Sequence, residues 1–407
     1  MKLSLIFFAI LISFITSDKG IRGHVKANLH IVRSINPEDS SFEDLFEIGN
    51  AIGDAKLVLL GEQCHGDGAT FAAKSRLIKY LHEKKGFNVL AFEADFFTLN
   101  DSQDQRRGIN TIWSEAEECS DLLNNYIPTT NLTDAPIVIS GIDNQFYGQV
   151  GSNRLKDFLK TAAKSDLFDK DISSIMDEDF YSSWDSLKSS LIKNQEQLLN
   201  PSASYLSLLD KYDTSLSILL SSATKKSNSF GFQVIKNIQA FNNQVQDFKD
   251  VIACRNSVRD SMMAENIHWL MSNKFKNQKM IVWAANGHIS KQPFSISLVH
   301  PCHTMGSFLE PKFRKEDIYT IGFTSRGGEH GIFRTIKLRK PLASNMESWI
   351  PDEINYAFLD LKKRPDLANE SFTMRVFGHG NLKMNWQPKF DGIFYIKEMY
   401  QSNRFTK

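Results

Sequence analysis

The sequence predicts an α/β fold, with a central, mainly parallel sheet flanked by helices and a helical subdomain inserted into it. Three observations carry this expectation. Residues 57–96, LVLLGEQCHGDGATFAAKSRLIKYLHEKKGFNVLAFEADF, read as strand, polar turn, helix, short glycine link and strand. Brief apolar runs of the same kind recur at Pro136–Ile142, Met280–Ala284 and Ile318–Phe323, each stopping at polar residues. Between them, residues 153–269 become rich in Ser, Lys, Leu, Asn and Gln and follow helical periods.

The first segment is a targeting signal. Met1-Lys2 precedes an apolar core, Leu3–Ile15, and the small polar residues Thr16 and Ser17 come before Asp18. Residues 1–17 are therefore expected to be cleaved and the mature chain to be secreted or periplasmic. No later stretch approaches the roughly 18 uninterrupted apolar residues of a spanning helix, so no membrane partner is expected after cleavage. Residues 18–40 read as an extended leader. Phe42–Ile52 carries helical spacing that Ser40 or Ser41 can cap, and Gly53-Asp54 ends it.

Leu57–Leu60 is the first core strand, and its tip delivers Glu62 and His65 within Gly61–Gly66. Phe71, Leu77, Ile78 and Leu81 predict a helix over Ala69–Lys85, with basic residues in its last turn and Gly86 placed for a left-handed cap. Asn88–Phe92 is a second buried strand that stops at Glu93, with Asp95 beyond it, and Pro136–Ile142 a third, tipped by Asp143, Asn144 and Gln145. These elements form the first part of the α/β core, residues 18–152.

The inserted subdomain is placed at residues 153–269. Tyr205, Leu208, Leu209, Tyr212, Leu216, Leu219 and Leu220 form one amphipathic stripe, and Ile235, Ile238, Phe241, Val245, Phe248 and Ile252 another. Pro201 separates the first from a helix carrying Trp184, Leu187, Leu191 and Leu198. Stripes of this kind are core, and no chemistry is assigned to them. The second part of the core, residues 270–407, opens with Met280–Ala284, which ends in Ala285, Asn286, Gly287 and His288. Ile318–Phe323 follows, then short runs at Gly331–Ile336, Phe372–Val376 and Gly392–Ile396, while Pro351–Leu361 is ambiguous.

Composition narrows the partners. The chain has 407 residues, 42% of them hydrophobic, enough to bury a sizeable core. Lys plus Arg number 48 against 47 Asp plus Glu, and loss of the signal removes Lys2, so no global field attracts nucleic acid. A small, roughly neutral molecule is the expected partner. Cys64, Cys119, Cys254 and Cys302 lack metal-finger spacing, and four cysteines allow three full pairings that sequence does not rank. The G-x-S-x-G, H-E-x-x-H, P-loop and G-x-G-x-x-G patterns are absent.

What remains is a convergence at strand tips, where open α/β sheets bind ligands. Glu62, His65, Glu93 and His288 are the leading candidates, with Lys74 as a cation on the first helix and Asn286, Asp143 and Arg76 as substrate-binding candidates. A histidine can take a proton from water while a carboxylate fixes its tautomer, and a second histidine or a lysine can stabilise an oxyanion. Water attack on a carbonyl suits these parts, without a cofactor. Alternatives stay open: a divalent metal held by Glu62, His65, Glu93 and His288, a Cys64 nucleophile beside His65, or a binding protein without turnover. Glu93 could also simply pair with Lys74 or Arg76.

In order along the chain, GEQCHG at 61–66, Lys74, GFNVLAFEAD at 86–95, RDSMMAENIHWL from Arg259, WAANGHIS at 283–290 and MGSFLEPKF at 305–313 resemble the erythromycin esterase family. The resemblance covers most of the mature chain. It implies an α/β core with inserted helices and hydrolysis of macrolactone esters without a serine nucleophile. Its G-E-x-x-H motif, second-strand Glu and H-N-x-H motif imply Glu62, His65, Glu93 and His288 as site residues. Two positions depart from the family: the first histidine of H-N-x-H is Ala285, and Lys74 stands where some resistance esterases have Arg.

Overall fold

The computed structural model describes residues 20–101, 108–146, 149–163, 172, 175–193, 202–222, 228–246, 257–294, 302–364, 367 and 369–405. The signal at residues 1–17 lies outside these residues, as do Pro201, Leu198, Phe248, Cys254 and Ile252. The strands are β1 (Leu29–Val32), β2 (Leu57–Leu60), β3 (Phe87–Asp95), β4 (Val138–Asp143), β5 (Lys279–Trp283), β6 (Ile318–His330), β7 (Ile336–Lys337), β8 (Tyr356–Asp360), β9 (Ser371–Met374), β10 (Leu382–Asn385) and β11 (Gly392–Met399). The helices used below are α1 (Phe46–Ile52), α2 (Gly68–Lys85), α3 (Phe96–Asp101), α4 (Gln149–Ala163), α5 (Glu178–Lys193), α6 (Ala203–Ser222), α7 (Phe230–Gln246), α8 (Ser257–Trp269), α9 (Asn286–Ile289) and α10 (Met305–Leu309).

Nine strands form one sheet in the order β1-β8-β11-β6-β2-β5-β3-β4, with β7 paired to β6. From β11 through β4 every neighbouring pair is parallel, whereas β8 and β1 add antiparallel strands at one edge. The sheet is mostly parallel and flanked by helices, as the apolar runs predict. Its central strands are buried on both faces. Leu57 and Leu59 of β2 join one apolar cluster and Val58 and Leu60 the other, which is why the run is continuously apolar instead of alternating.

The first cluster extends from the sheet into α4, α5, α6 and α7 through Leu155, Trp184, Tyr212, Leu216, Ile235 and Ile238. The amphipathic stripes therefore pack onto the sheet as part of a shared core. Helix α8 lies against β4 and α10 and carries polar groups inward.

Three local readings differ from expectation. Residues 20–27 are helical and Leu29–Val32 is an edge strand, unlike the extended leader that the sequence predicts; Val25 and Val32 are buried, and Ile21 and Leu29 pack partly against the core. Neither Ser40 nor Ser41 caps α1, which is entered through a short 3₁₀ turn at Glu43–Leu45. The ambiguous stretch around Pro351–Leu361 contains β8, and the strand expected at Gly331–Ile336 is reduced to the two residues of β7. Helix α2, by contrast, ends at Gly86 in the left-handed conformation, φ 72°, as the glycine predicts.

Strand β3 runs past its expected end at Phe92, and its register against β4 shifts between Phe92 and Asp95. The bulge turns the Glu93 side chain toward the sheet edge beyond β5. It fits only because Gly141 has no side chain: a Cβ there would come within 2.3 Å of the Asp95 carbonyl oxygen and 2.7 Å of that of Ala94. Gly141→Ala is expected to cost about 1–3 kcal/mol by overpacking, measured by denaturant unfolding. Loss of less than a few tenths would show that the bulge relaxes freely.

Candidate active site

The strand order explains the convergence. Tips β2, β5, β3 and β4 are consecutive neighbours, so Glu62, Ala285 to His288, Glu93 and Asp143 emerge along one edge although their segments lie far apart in the sequence. Strand β5, between β2 and β3, brings the distant Asn286-Gly287-His288 turn between the two early tips.

The first half of the site is built on Glu62, whose carboxylate is wholly buried. Oε1 lies 2.7 Å from His65 Nδ1, and Oε2 accepts from Lys74 Nζ at 2.9 Å and from Trp283 Nε1 at 3.0 Å. Lys74 is equally buried, donates also to the Ala284 carbonyl at 3.3 Å and lies 4.3 Å from the centre of the Trp283 ring. Burial pushes the Glu62 carboxyl upward, but the Lys74 charge and the His65 contact outweigh it and hold Glu62 below its ordinary value.

His65 differs from its neighbours in being 38% exposed. Its partial burial lowers its proton affinity, yet the hydrogen bond to Glu62 and the charges of Glu62 and Glu93 raise it above 6.5, with His288 opposing. Because Glu62 is ionised, Nδ1 carries a proton toward it, and Nε2 of the neutral ring is an acceptor with no partner among the described residues.

The second half is assembled by Arg259, on α8. Its Nε and Nη2 donate to Asp143 at 2.6–3.2 Å, and Nη2 also donates to Glu93 Oε1 at 2.6 Å. Glu93 Oε2 accepts the Ala285 backbone N–H at 3.1 Å. His288 is clamped between Asp260 Oδ1, 2.6 Å from Nδ1, and Glu93 Oε1, 3.2 Å from Nε2. Burial lowers its proton affinity, but the two carboxylates more than reverse this and bring it up to about 10, so His288 is an imidazolium at neutral pH.

Several candidates sit elsewhere than expected. Arg76 is remote from these groups and binds Asp44 and the carbonyls of Ser34 and Ser41, anchoring the segment before α1. Its expected place beside substrate, or as the partner of Glu93, does not hold. Glu93 pairs with Arg259 instead of Lys74. Asn286 is a buried strut: Nδ2 donates to the carbonyls of Phe323 and Val376 and Oδ1 accepts the Phe323 N–H. Asp143 is engaged by Arg259, and Lys74 lies behind Glu62 with no exposed surface.

Glu62, His65, Glu93 and His288 share one sheet edge, where the two carboxylates are ion-paired to Lys74, Arg259 and the imidazoles. Cys64 is a free thiol, as is Cys119, while Cys302 forms a disulfide. Burial, with Asp67 and Glu62 nearby, pushes the Cys64 thiol up to about 12, far from a nucleophilic thiolate.

Arg259 and Asp260 were not assigned a role from the sequence. A signal was present: an Arg-Asp pair stands in a helix whose flanking positions Met262, Met263 and Ile267 are core, and adjacent charges do not belong on such a face without partners.

This α/β framework, with acid–base groups beyond the carboxyl ends of its strands, falls among the hydrolases. The erythromycin esterase family model matches residues 82–399, and the chain belongs to that family. It is 24% identical over 408 residues to YbfO of Bacillus subtilis (strain 168), a protein named as a hydrolase, covering 90% of this chain and 89% of that one. It is 25% identical over 415 residues to the erythromycin esterase type II of Escherichia coli, covering 91% and 96%. Similar folds are seen in a protein titled as a succinoglycan biosynthesis protein (TM-score 0.75, 20% identity, 95% of this chain and 99% of that one) and in a mutant of the erythromycin esterase EreC in its open conformation (TM-score 0.65, 19% identity, 92% and 98%).

Lys74→Met is expected to destabilise the protein by about 3–5 kcal/mol, because it strands the Glu62 charge in the interior. Chemical denaturation checks this. The depressed Glu62 carboxyl contributes stability that is present above its unfolded value and lost as pH falls through the folded one. That acid loss should shrink in the variant.

Proposed function

We propose that the protein is an exported hydrolase that directs water onto a small-molecule ester or related carbonyl, with His65 as general base and no covalent serine intermediate. The observation that carries this reading is the Glu62–His65 pair. An ionised, buried carboxylate fixes Nδ1 as donor and leaves Nε2 of a partly exposed imidazole to take a proton from water.

In this scheme His65 Nε2 accepts the water proton as the oxygen bonds to the carbonyl carbon, and the carbonyl π electrons move onto oxygen. Arg259 is assigned as the donor to that oxyanion. With His288 protonated, the ring Nε2–H serves Glu93, and Arg259 Nη1, 3.1 Å from His288 Nε2, has no acceptor there. Collapse expels the alkoxide, which takes the proton from the His65 imidazolium. Lys74 acts from behind Glu62 and keeps it ionised, so it touches neither water nor substrate. Glu93 holds Arg259, His288 and the Ala285 N–H in place. Ala285 offers a methyl group where the family motif has an imidazole, so a macrolactone is not assigned as substrate.

Export is supported by the apolar N-terminal segment and by the disulfide at Cys302, a bond of oxidising compartments.

His65→Ala is expected to lower kcat/KM on an ester panel by about 10²–10⁴-fold with the melting temperature preserved; full activity in the folded variant would sink the assignment. The pH profile gives a second check. The base must be neutral and its pKa is raised, so activity should climb with pH through an apparent pKa above 6.5. Glu62→Gln removes the raising charge and should move that limb to lower pH. A limb that stays in place would assign it to another group.

A further inference from the structure

The turn that carries Glu62 and His65 presents its remaining reactive side chain, Cys64, on another side. There it meets two histidines that the hydrolytic scheme does not use. The Cys64 sulfur and one ring nitrogen each of His330 and His379 lie within 4.8 Å of one another. We propose that Cys64, His330 and His379 form a divalent-metal site of the zinc type, which ties the Gly61–Asp67 turn to the end of β6 and to the turn after β9.

Three segments are held together at this point without the metal. Gly66, φ 90°, lies so near β6 that a Cβ would come within 2.4 Å of the Gly331 carbonyl oxygen. Gln63 donates to the Arg375 carbonyl at 2.5 Å, and its own carbonyl accepts from Gly378 N at 3.1 Å. Asp67 accepts the Cys64 backbone N–H at 3.0 Å and holds His379 Nε2 at 3.0 Å. His379 itself has a left-handed backbone, φ 57°, a conformation that a non-glycine residue adopts at a cost. The two imidazole rings are 4.5 Å apart.

The donors suit a zinc-like ion. One sulfur and two imidazole nitrogens are ligands that such ions share, and bond lengths of about 2.3 Å to sulfur and 2.0–2.1 Å to nitrogen draw the three donors in from separations of up to 4.8 Å. His330 Nδ1 is buried and makes no hydrogen bond, with Asp67 Oδ1 at 3.9 Å. Both His379 nitrogens have partners, Ser325 Oγ 3.2 Å from Nδ1 and Asp67 Oδ1 3.0 Å from Nε2, so binding the ion exchanges one of these contacts while the other orients the ring. Charges balance: coordination breaks the Cys64 S–H bond, the proton leaves to solvent, and thiolate plus the Asp67 carboxylate offset a 2+ ion. The guanidinium of Arg375, bonded to the His379 carbonyl at 3.1 Å, is a positive charge that opposes the ion. Asp67 orients the cluster from outside or completes the fourth position with water.

The site is separate from the Glu62–Glu93 groups, and the ion would brace the turn instead of meeting substrate. The test uses the purified, metal-stripped protein titrated with Co²⁺. One equivalent should bind with a thiolate-to-cobalt charge-transfer band and the intense visible bands of tetrahedral cobalt, and Zn²⁺ should displace it. Cys64→Ser should abolish the near-ultraviolet band. His330→Ala should weaken binding by at least the ~10–100-fold seen when an orienting partner is removed, and Glu93→Gln should bind as the parent does. As a measurement independent of variant folding, Zn²⁺ should protect Cys64 of the unaltered protein from alkylation, located by mass spectrometry. Absence of the thiolate band, the same band in Cys64→Ser, or undiminished Cys64 alkylation at saturating Zn²⁺ would overturn the proposal.

Discussion

The Glu62 carboxylate is the constraint from which the rest of the site follows. A full charge sits with no solvent access, and it is tolerable there only because donors from three elements reach it: His65 on the turn after β2, Lys74 on α2 and Trp283 on β5. Each donor depends on it in return. Burial drives Lys74 toward neutrality and Glu62 opposes that; His65 owes its tautomer and its raised proton affinity to the same oxygen pair. The interaction fixes the spacing of two neighbouring strand tips and sets the acid–base character of the exposed imidazole.

A second buried cluster faces the first across the β5 tip. Glu93, Asp143 and Asp260 are three carboxylates gathered within reach of one guanidinium and one imidazole. Arg259 is suited to this by its planar fork, which grips Asp143 through two nitrogens and Glu93 through one of them; lysine has the charge without that geometry. One arginine against three acids leaves two negative charges, and this excess, concentrated in Asp260 and Glu93, keeps His288 protonated. Arg259 Nη1 lies 3.1 Å from His288 Nε2, so the guanidinium touches the imidazole as well as two of the carboxylates.

The sequence displayed the elements more clearly than their neighbours. Leu57–Leu60 and the helix ending at Gly86 were legible because continuous apolar burial and a left-handed cap leave local marks. Strand order leaves none. Nothing in GFNVLAFEAD says that β5, almost two hundred residues later, lies between β2 and β3, so the sequence points to the intervening helix for the partner of Glu93 while the true partner is 166 residues away on α8. The same limit applies to Asn286, whose polar side chain at a strand tip looks like a ligand group until the backbone of Phe323 and Val376 is brought against it. Glu62 and His65 escaped the limit because they are three residues apart, close enough for their contact to be made within one turn.

Placement of Ala285 shows how a strand tip can keep its geometry while its chemistry changes. Its backbone N–H donates to Glu93, and the Asn286 N–H that follows donates to the Glu62 carbonyl at 2.8 Å. Two successive main-chain donors therefore join the two halves of the site whatever side chain occupies position 285. The residue itself is half-buried. An imidazole there would add a further titratable group beside an already protonated His288, whereas a methyl group adds only volume and apolar surface. The main-chain bonds that tie this strand tip to Glu62 and Glu93 are thus independent of the side chain at position 285.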